Sequence, residues 1–370
     1  MRLASFNVEN MFDRVKAMNL DTWAEGRATL EAHQELNTLF NEGVYTPAIQ
    51  ARILKLLADH GLLRRDESEF FILRKLRGKL LNRRPGGEVT VVAKGRPSWI
   101  GWVELKTEAV RETATENTAR VIAWVNADVL GVVEAEDRTT LRLFNQSVLP
   151  AVTAAAYEHV MLIDGNDSRG IDVGMLSRGD YPILSIRSHV ADRDDKGLVF
   201  SRDCAEFEIG LQSGGKLWVL VNHFKSKGYG GQTANDAKRK RQATRVRALY
   251  DAHVAAGHDY VAIIGDLNDT PDRDPLAPLL SAGSDLLDIS AIAGFQDGGR
   301  PGTHGTCTAA SKLDYILLSP KLFESVSAAR IERLGMWGGK NGTLWPHFDE
   351  VKAAEDAASD HAALWVDLAI

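Results

Sequence analysis

Asp266 and Asn268 stand directly after an apolar run, Tyr260-Val261-Ala262-Ile263-Ile264, in the segment Gly265-Asp266-Leu267-Asn268-Asp269. The run reads as a buried strand, and an acid at its end adds nothing to a core. Gly265 lets the chain turn there, so that Asp266 and Asn268 project beyond the strand. A turn of Asp and Asn is also a common way to end a strand, so one such segment decides nothing. The arrangement recurs, however. Phe6-Asn7-Val8-Glu9-Asn10 follows the first apolar run, Glu134-Ala135-Glu136-Asp137 follows Val129-Leu130-Gly131-Val132-Val133, and Asn222-His223-Phe224-Lys225-Ser226-Lys227 follows another. Asp314 sits inside Leu313-Asp314-Tyr315-Ile316-Leu317-Leu318, where an unpaired carboxylate is costly to bury. Ser359-Asp360-His361 precedes the last apolar run.

These segments offer Asn7, Glu9, Glu134, Asp266, Asn268, Asp314 and Asp360 together with His223 and His361. Carboxylates gathered on one surface repel each other unless a cation lies among them. An oxygen-rich set without cysteine suits the hard ions Mg²⁺ or Mn²⁺. The two histidines add proton-transfer groups and donors to a charged ligand. A cation, a carboxylate base and a histidine are what attack of water on phosphorus requires.

The remaining pattern must position these residues. Residues 21 to about 81 read as helical, with Thr46-Pro47 as a cap, Ile49, Ile53, Leu56 and Leu57 as an apolar stripe and Gly61 as a stop. Residues 89–93 and 98–105 read as a hairpin around Lys94-Gly95-Arg96-Pro97. A helix through Ala119, Ile122, Ala123 and Val125 leads to the 129–133 strand. Further strands are expected at 171–176, 204–211, 217–222, 260–264, 313–318 and 362–368, with helices near 138–156 and 236–255. Crossovers mixed with hairpin-like links indicate an α/β sandwich rather than a purely parallel sheet. Residues 335–359, rich in glycine, read as a long loop. The net charge of -6 does not mark a nucleic-acid binder, although an enzyme needs only a local basic path. Cys204 and Cys307 are too few for a disulfide framework and are expected as free buried thiols. No stretch approaches a membrane span, and no charged-then-apolar leader opens this numbering, so a cytoplasmic protein is expected unless a signal was removed.

In order and spacing the segments resemble the endonuclease/exonuclease/phosphatase superfamily, which includes pancreatic-type deoxyribonucleases, AP endonucleases, sphingomyelinases and inositol-polyphosphate 5-phosphatases. The matching motifs are Phe6-Asn7-Val8-Glu9-Asn10, Val132-Val133-Glu134, Asn222-His223-Phe224, Gly265-Asp266-Leu267-Asn268, Leu313-Asp314-Tyr315 and Ser359-Asp360-His361. The resemblance implies one catalytic domain over residues 1–370: a four-layered α/β sandwich of two packed mixed or antiparallel sheets flanked by helices. Residues 14–108 would be a mostly helical insertion with a hairpin. By the same resemblance Glu134 is the principal metal ligand with Asn7 beside it, and Asp360 is a further metal-site carboxylate. Asp266 activates or orients the attacking water with support from Asn268, His361 contacts the scissile phosphate, Asp314 orients His361, and His223 is a second catalytic histidine. The expected substrate contacts are Lys225, Lys227 and Asn222, with Arg169 and Asp172 at the start of the 171–176 strand.

Val133 replaces the Gln that often precedes the metal-binding Glu. Asn222-His223-Phe224 stands where AP endonucleases usually carry a tyrosine segment, which argues against abasic-site specificity. The His223-Phe224-Lys225-Ser226-Lys227-Gly228 stretch and the basic helix around Lys238-Arg239-Lys240-Arg241 resemble bacterial nucleases of the superfamily. Between Arg64 and Arg84, eight basic residues stand against three acidic ones, a concentration suited to a polyanion. Trp99 and Trp102 offer stacking surfaces or, alternatively, the insertion's own core. The expectation is therefore a Mg²⁺- or Mn²⁺-dependent DNA nuclease. A phosphatase or phosphodiesterase for small-molecule or lipid-headgroup esters is the alternative, and an inactive binding protein a remote third. Oligomeric state is not legible.

Overall fold

A computed structural model describes residues 1–9, 11–18, 20, 23–152, 155–167, 169–227 and 231–370. Asn10 of the first motif, Asp21 at the expected helix start and Gly228 of the basic stretch lie outside the described residues. The chain divides into two compact units: Asp13–Ala109 forms one, and Met1–Phe12, Val110–Lys227 and Gly231–Ile370 form the other.

The larger unit is built on two six-stranded sheets. Its strands are β1 (Arg2–Asn7), β2 (Val129–Ala135), β3 (His159–Ile163), β4 (Asp172–Ser177), β5 (Ile183–Arg187) and β6 (Cys204–Gly210), then β7 (Lys216–His223), β8 (Val261–Asp266), β9 (Leu287–Asp288), β10 (Asp314–Leu318), β11 (Val326–Glu332) and β12 (Ala363–Leu368). The first sheet runs β11-β12-β1-β2-β4-β3 and the second β5-β6-β7-β8-β10-β9. In each sheet one central pair is parallel, β1 with β2 and β7 with β8, and the other pairs are antiparallel. The architecture is thus the mixed α/β arrangement expected, and the central strands β2, β7 and β8 are apolar runs because both their faces are covered.

One core joins the two sheets: Leu3, Val129, Val133, Val173 and Met175 of the first meet Phe207, Val219, Val221, Ile264 and Ile316 of the second. The other face of the first sheet packs on the helix Glu112–Val125 through Ala119, Val121, Ile122 and Val125. The other face of the second sheet packs on the helix Gln232–Ala255 through Ala243, Val246, Leu249 and Tyr250. The helix expected near 138–156 is shorter: Arg138–Leu143 continues through Phe144–Val148 to Leu149–Ala151. Residues 335–359 hold only a short 3₁₀ turn, Ala354–Asp356, in keeping with the expected loop. Cys204 and Cys307 are free and buried, as expected.

In the smaller unit the helices Trp23–Phe40 and Pro47–Asp59 form, and the Thr46 side chain accepts from Ile49 N as the sequence predicts. The helical reading fails beyond them. Phe71–Gly78 and Leu81–Arg83 are strands, pairing with Trp99–Leu105 and Val89–Val91. The expected hairpin of 89–93 with 98–105 is therefore replaced by two separate pairings. Leu, Lys and Arg are good helix formers, which misleads a local reading of Leu73-Arg74-Lys75-Leu76-Arg77. Burial of Phe71 and Leu73 against Val103 and Leu105 overrides that propensity. Trp99 is buried with its ring 4.8 Å from Phe40, so it belongs to the core of this unit, whereas Trp102 is exposed.

The larger unit also encloses a polar knot around Glu206 of β6, which is 1% exposed. His189 Nε2 bonds one carboxylate oxygen and His253 Nε2 the other at 3.0 Å, while His189 Nδ1 reaches Asp192 at 2.9 Å. Burial raises the Glu206 pKa, but the bonds from His189 and His253 outweigh it and hold the group at about 2. Burial lowers His189, yet Glu206 and Asp192 carry it above its ordinary value of 6.5. The Glu206 contribution to stability is thus present above the ordinary Glu range and lost as pH falls toward 2. The His189 contribution is present below 6.5 and lost as pH rises through the elevated folded-state value. Glu206→Gln should cost on the order of 3 kcal/mol, because buried donors lose their charged acceptor. Denaturant titrations at pH 6 and pH 8 should show wild-type stability declining with pH and the variant declining less. Equal pH slopes would show that Glu206 does not hold the His189 proton.

Candidate active site

All six motifs meet at one end of the sheets, because the C-terminal ends of the parallel strands lie beside the N-terminal ends of their antiparallel neighbours. In register, Asn7 pairs with Val133, His223 with Asp266, and Asp266 with Asp314. Glu134 is placed by a β-bulge: Val133 faces Val173 and Ala135 faces Asp172, leaving Glu134 as the extra residue at φ 68°. Bulges of this kind re-aim a side chain at a sheet's end. Glu9 and Asn268 also take left-handed backbone, at φ 50° and 54°. Such strain in non-glycine residues collects at functional sites. Gly265 stands at φ 121°, where a Cβ would collide with the Asn222 carbonyl oxygen.

Asp266 is 2% exposed, and its two oxygens accept from Asn268 N and Asn268 Nδ2, both at 2.8 Å, with Asn7 Nδ2 at 3.4 Å. Burial and the neighbouring Asp314 push its pKa up to about 7, partly opposed by His361. His361 Nδ1 lies 2.8 Å from Asp314 Oδ2. Burial lowers the His361 pKa, but Asp314, Asp360 and Asp266 overcome it and raise the group well above its ordinary value. His223 Nε2 lies 3.4 Å from Glu134 and 3.7 Å from Asp266. Burial, then Arg202 and Arg169, push His223 well below its ordinary value, so the two histidines are driven in opposite directions.

Three groups among the described residues have the side chains to hold a cation: Glu134, His223 and Asp266; Asp266, Asp314 and His361; and His304, Asp360 and His361. In each the donor atoms lie within 4.8 Å of one another. Shared members link them into one chain from Glu134 to Asp360. Asn7 joins through Asp266, and Glu9 joins by accepting from Asp360 N at 2.8 Å.

The expected substrate contacts are placed less uniformly. Burial and then Arg202 and Arg169 lower Lys225 to about 7. Its backbone is pinned: Arg202 and Asn268 donate to Phe224 O at 2.9 and 3.2 Å, Arg239 donates to Lys225 O at 3.0 Å, and Lys225 N donates to Gln242 at 2.9 Å. Lys227 pairs with the buried Asp269 at 2.7 Å. Arg169 bonds Asp167 at 2.9 and 2.8 Å, and Arg202 adds an ion pair to the same carboxylate at 3.0 Å. Asp172 accepts from Gly165 N at 2.8 Å, and burial raises it to about 7. Asn222 turns back to the Leu220 carbonyl at 3.0 Å. The basic helix is largely engaged in ion pairs: Arg239 with Asp269, Lys240 with Asp274 and Arg241 with Asp194.

Sequence reasoning missed His304, Thr303 and Arg202. His304 Nε2 lies 3.0 Å from Asp360 Oδ2, and Thr303 Oγ1 accepts from Leu313 N and Asp314 N at 3.0 Å each. Gly302-Thr303-His304-Gly305 reads locally as a turn; its nearness to the Asp314 motif was the available signal.

Gly265→Ala tests the turn that carries Asp266. With positive φ and a backbone collision, it should cost at least about 2 kcal/mol in a denaturant titration, whereas Gly283→Ala, with open space around it, should change stability by under about 0.5 kcal/mol. Equal small effects would mean that the Gly265 turn relaxes freely.

The sequence model of the Endonuclease/Exonuclease/phosphatase family matches residues 104–319, a span holding Glu134, His223, Asp266 and Asp314. Among solved structures, a Bacteroides thetaiotaomicron mannosyl-6-phosphatase is similar, with TM-score 0.51 and 16% identity over 70% of this chain and 92% of that one. An endonuclease/exonuclease/phosphatase family protein from the same organism gives TM-score 0.50 and 16% identity over 69% of this chain and 88% of that one. At such identity the likeness is one of fold. No match is found among curated protein sequences.

Proposed function

Because the chain belongs to the endonuclease/exonuclease/phosphatase family and so to a superfamily of phosphoesterases, we propose that it is a divalent-metal-dependent phosphodiester hydrolase whose substrate is DNA. The observation that carries this reading is the facing pair Asp266 and Asp314 with His361 on one side and Glu134 and His223 on the other. The donor set fits a hard dication: buried or half-buried carboxylates crowd together, and Asp266 is driven toward its neutral form without one. Glu134 and Asn7, with Asp360, would hold it. When bound, Mg²⁺ or Mn²⁺ supplies Lewis-acid polarisation of a phosphoryl oxygen.

In this reading Asp266 accepts a proton from water, and Asn268 fixes its orientation with two hydrogen bonds. His361 stays protonated beside Asp314 and donates to the phosphate. His223, held neutral by burial, contacts the phosphate without adding charge. Lys225, on its pinned backbone, donates to a neighbouring phosphate. Exposed Lys75, Arg77 and Trp102 in the smaller unit support a polymeric substrate. The pairing of Lys240 with Asp274 and Arg241 with Asp194 favours the second reading, a small-molecule or lipid-headgroup phosphate ester.

Plasmid DNA, RNA, bis-p-nitrophenyl phosphate and p-nitrophenyl phosphate separate these readings when assayed with Mg²⁺ or Mn²⁺. Hydrolysis of DNA and of the diester is expected, with EDTA abolishing both. Asp266→Ala and His361→Ala should each cost about 10²–10⁴-fold. Asp314→Asn should add little to His361→Ala, since it acts through that ring. Turnover of the monoester alone would replace the nuclease reading by the phosphatase one, and full activity in EDTA would remove the metal.

For the smaller unit, Lys75→Glu with Arg77→Glu should lower the slope of log affinity for DNA against log salt by about 2, while leaving the small diester unaffected. An unchanged slope would mean that these charges are only solvated.

A further inference from the structure

We propose that His304, Asp360 and His361 form an inhibitory site for an imidazole-seeking dication of the Zn²⁺ class, one that shares Asp360 with the proposed metal site but differs in chemistry from its oxygen-rich Glu134 end. The inference rests on the reading of His361 as the phosphate donor, because an ion bound to its Nε2 removes it from that role.

Four observations carry it. The donor atoms of the three side chains lie within 4.8 Å of one another. His304 Nε2 is 3.0 Å from Asp360 Oδ2, and His361 Nε2 is 3.7 Å from Asp360 Oδ1, so two imidazoles flank one carboxylate. The imidazole rings stand 4.7 Å apart between centroids. Two histidines and a carboxylate are a ligand set for Zn²⁺ with a position left open, whereas Mg²⁺ prefers oxygen and keeps its waters.

The surrounding structure is built to hold these three groups in place. His361 Nδ1 is tied to Asp314 at 2.8 Å, which directs Nε2 away from that carboxylate; a metal-bound histidine commonly has such a carboxylate on its other nitrogen. Asp360 is fixed on both sides of its backbone, its N–H donating to Glu9 at 2.8 Å and its carbonyl accepting from Gly305 N at 2.9 Å. His304 and His361 form an antiparallel backbone bridge, which holds the two residues side by side just before β12. His304 and Asp360 are partly exposed, with side chains 39% and 45% accessible, which leaves an entry path. A plain latch between the Gly302–Gly305 turn and β12 needs the His304–Asp360 ion pair alone. It does not need a second imidazole held against the same carboxylate.

Co²⁺ serves as a visible probe of such a site in the metal-free full chain. Wild type should bind it with an absorption band of imidazole ligation and with hyperfine-shifted ring protons from His304 and His361 in proton NMR. His304→Gln should weaken Co²⁺ binding at least about tenfold, and His304→Cys should restore it with a near-ultraviolet thiolate band. Zn²⁺ should block Mg²⁺-supported hydrolysis in wild type at concentrations that leave His304→Gln active. A folded His304→Gln protein with wild-type Co²⁺ affinity would overturn the proposal and place the ion at Glu134, His223 and Asp266. So would Co²⁺ bound to wild type without shifted His304 protons, a reading that needs no variant to fold. The binding experiments decide the site even if the protein hydrolyses none of the phosphate esters, an outcome that would defeat only the proposed activity.

Discussion

Two carboxylates, Asp266 and Asp314, face each other across adjacent strands, each about 2% exposed to solvent. Like charges so placed cannot both ionise cheaply, and the low polarity of the surroundings raises that cost. Much of the site can be read as a response to this constraint. Asn268 donates twice to Asp266 and Asn7 approaches from the first sheet, while Thr303 accepts from the backbone of Asp314 and His361 takes its carboxylate. A dication among these groups would complete the compensation that the hydrogen bonds begin.

The crowding persists because rigid elements impose it. Asp266 ends one strand and Asp314 begins the other, and the neighbouring strand residues, Ile263 and Ile264 in one and Ile316 and Leu317 in the other, are fully buried. Those side chains divide between the core shared by the sheets and the core beneath the helix Gln232–Ala255. Moving either carboxylate away means moving a strand out of both cores. Left-handed backbone at Glu9, Glu134 and Asn268 costs on the order of 1 kcal/mol each, a small charge against that burial. The apolar packing therefore sustains the polar strain.

What was legible in the sequence was whatever one strand could announce by itself. An acid after Tyr260–Ile264 or inside Leu313–Leu318 contradicts its neighbours, and that contradiction marked Asp266 and Asp314. Asp360 and His361, just before β12, were found in the same way. Residues whose role comes from a distant partner gave no such signal. Arg202 looks like a surface residue in Ser201-Arg202-Asp203, yet it is buried because Phe224 and Asp167 receive it. Helix charges such as Arg239 resembled those of bacterial nucleases, but Asp269 occupies that guanidinium. Residues 71–78 read as helix because their partner strand, Trp99–Leu105, begins 21 positions after they end.

His223 and His361 illustrate how far environment, rather than residue type, sets chemistry. Both are buried, and burial alone would make both neutral. Around His361 stand Asp314, Asp360 and Asp266, whose combined field reverses that effect and favours the protonated ring. Around His223 the fixed charges with the larger effect are Arg202 and Arg169, which add to burial instead of opposing it. Glu134 and Asp266 lie within 3.7 Å of His223 Nε2, yet they do not reverse the outcome. One site thus drives one imidazole toward its charged form and the other toward its neutral form, with different tasks available to each. The division depends also on Asp167, a residue outside the six motifs whose carboxylate pairs with both Arg169 and Arg202.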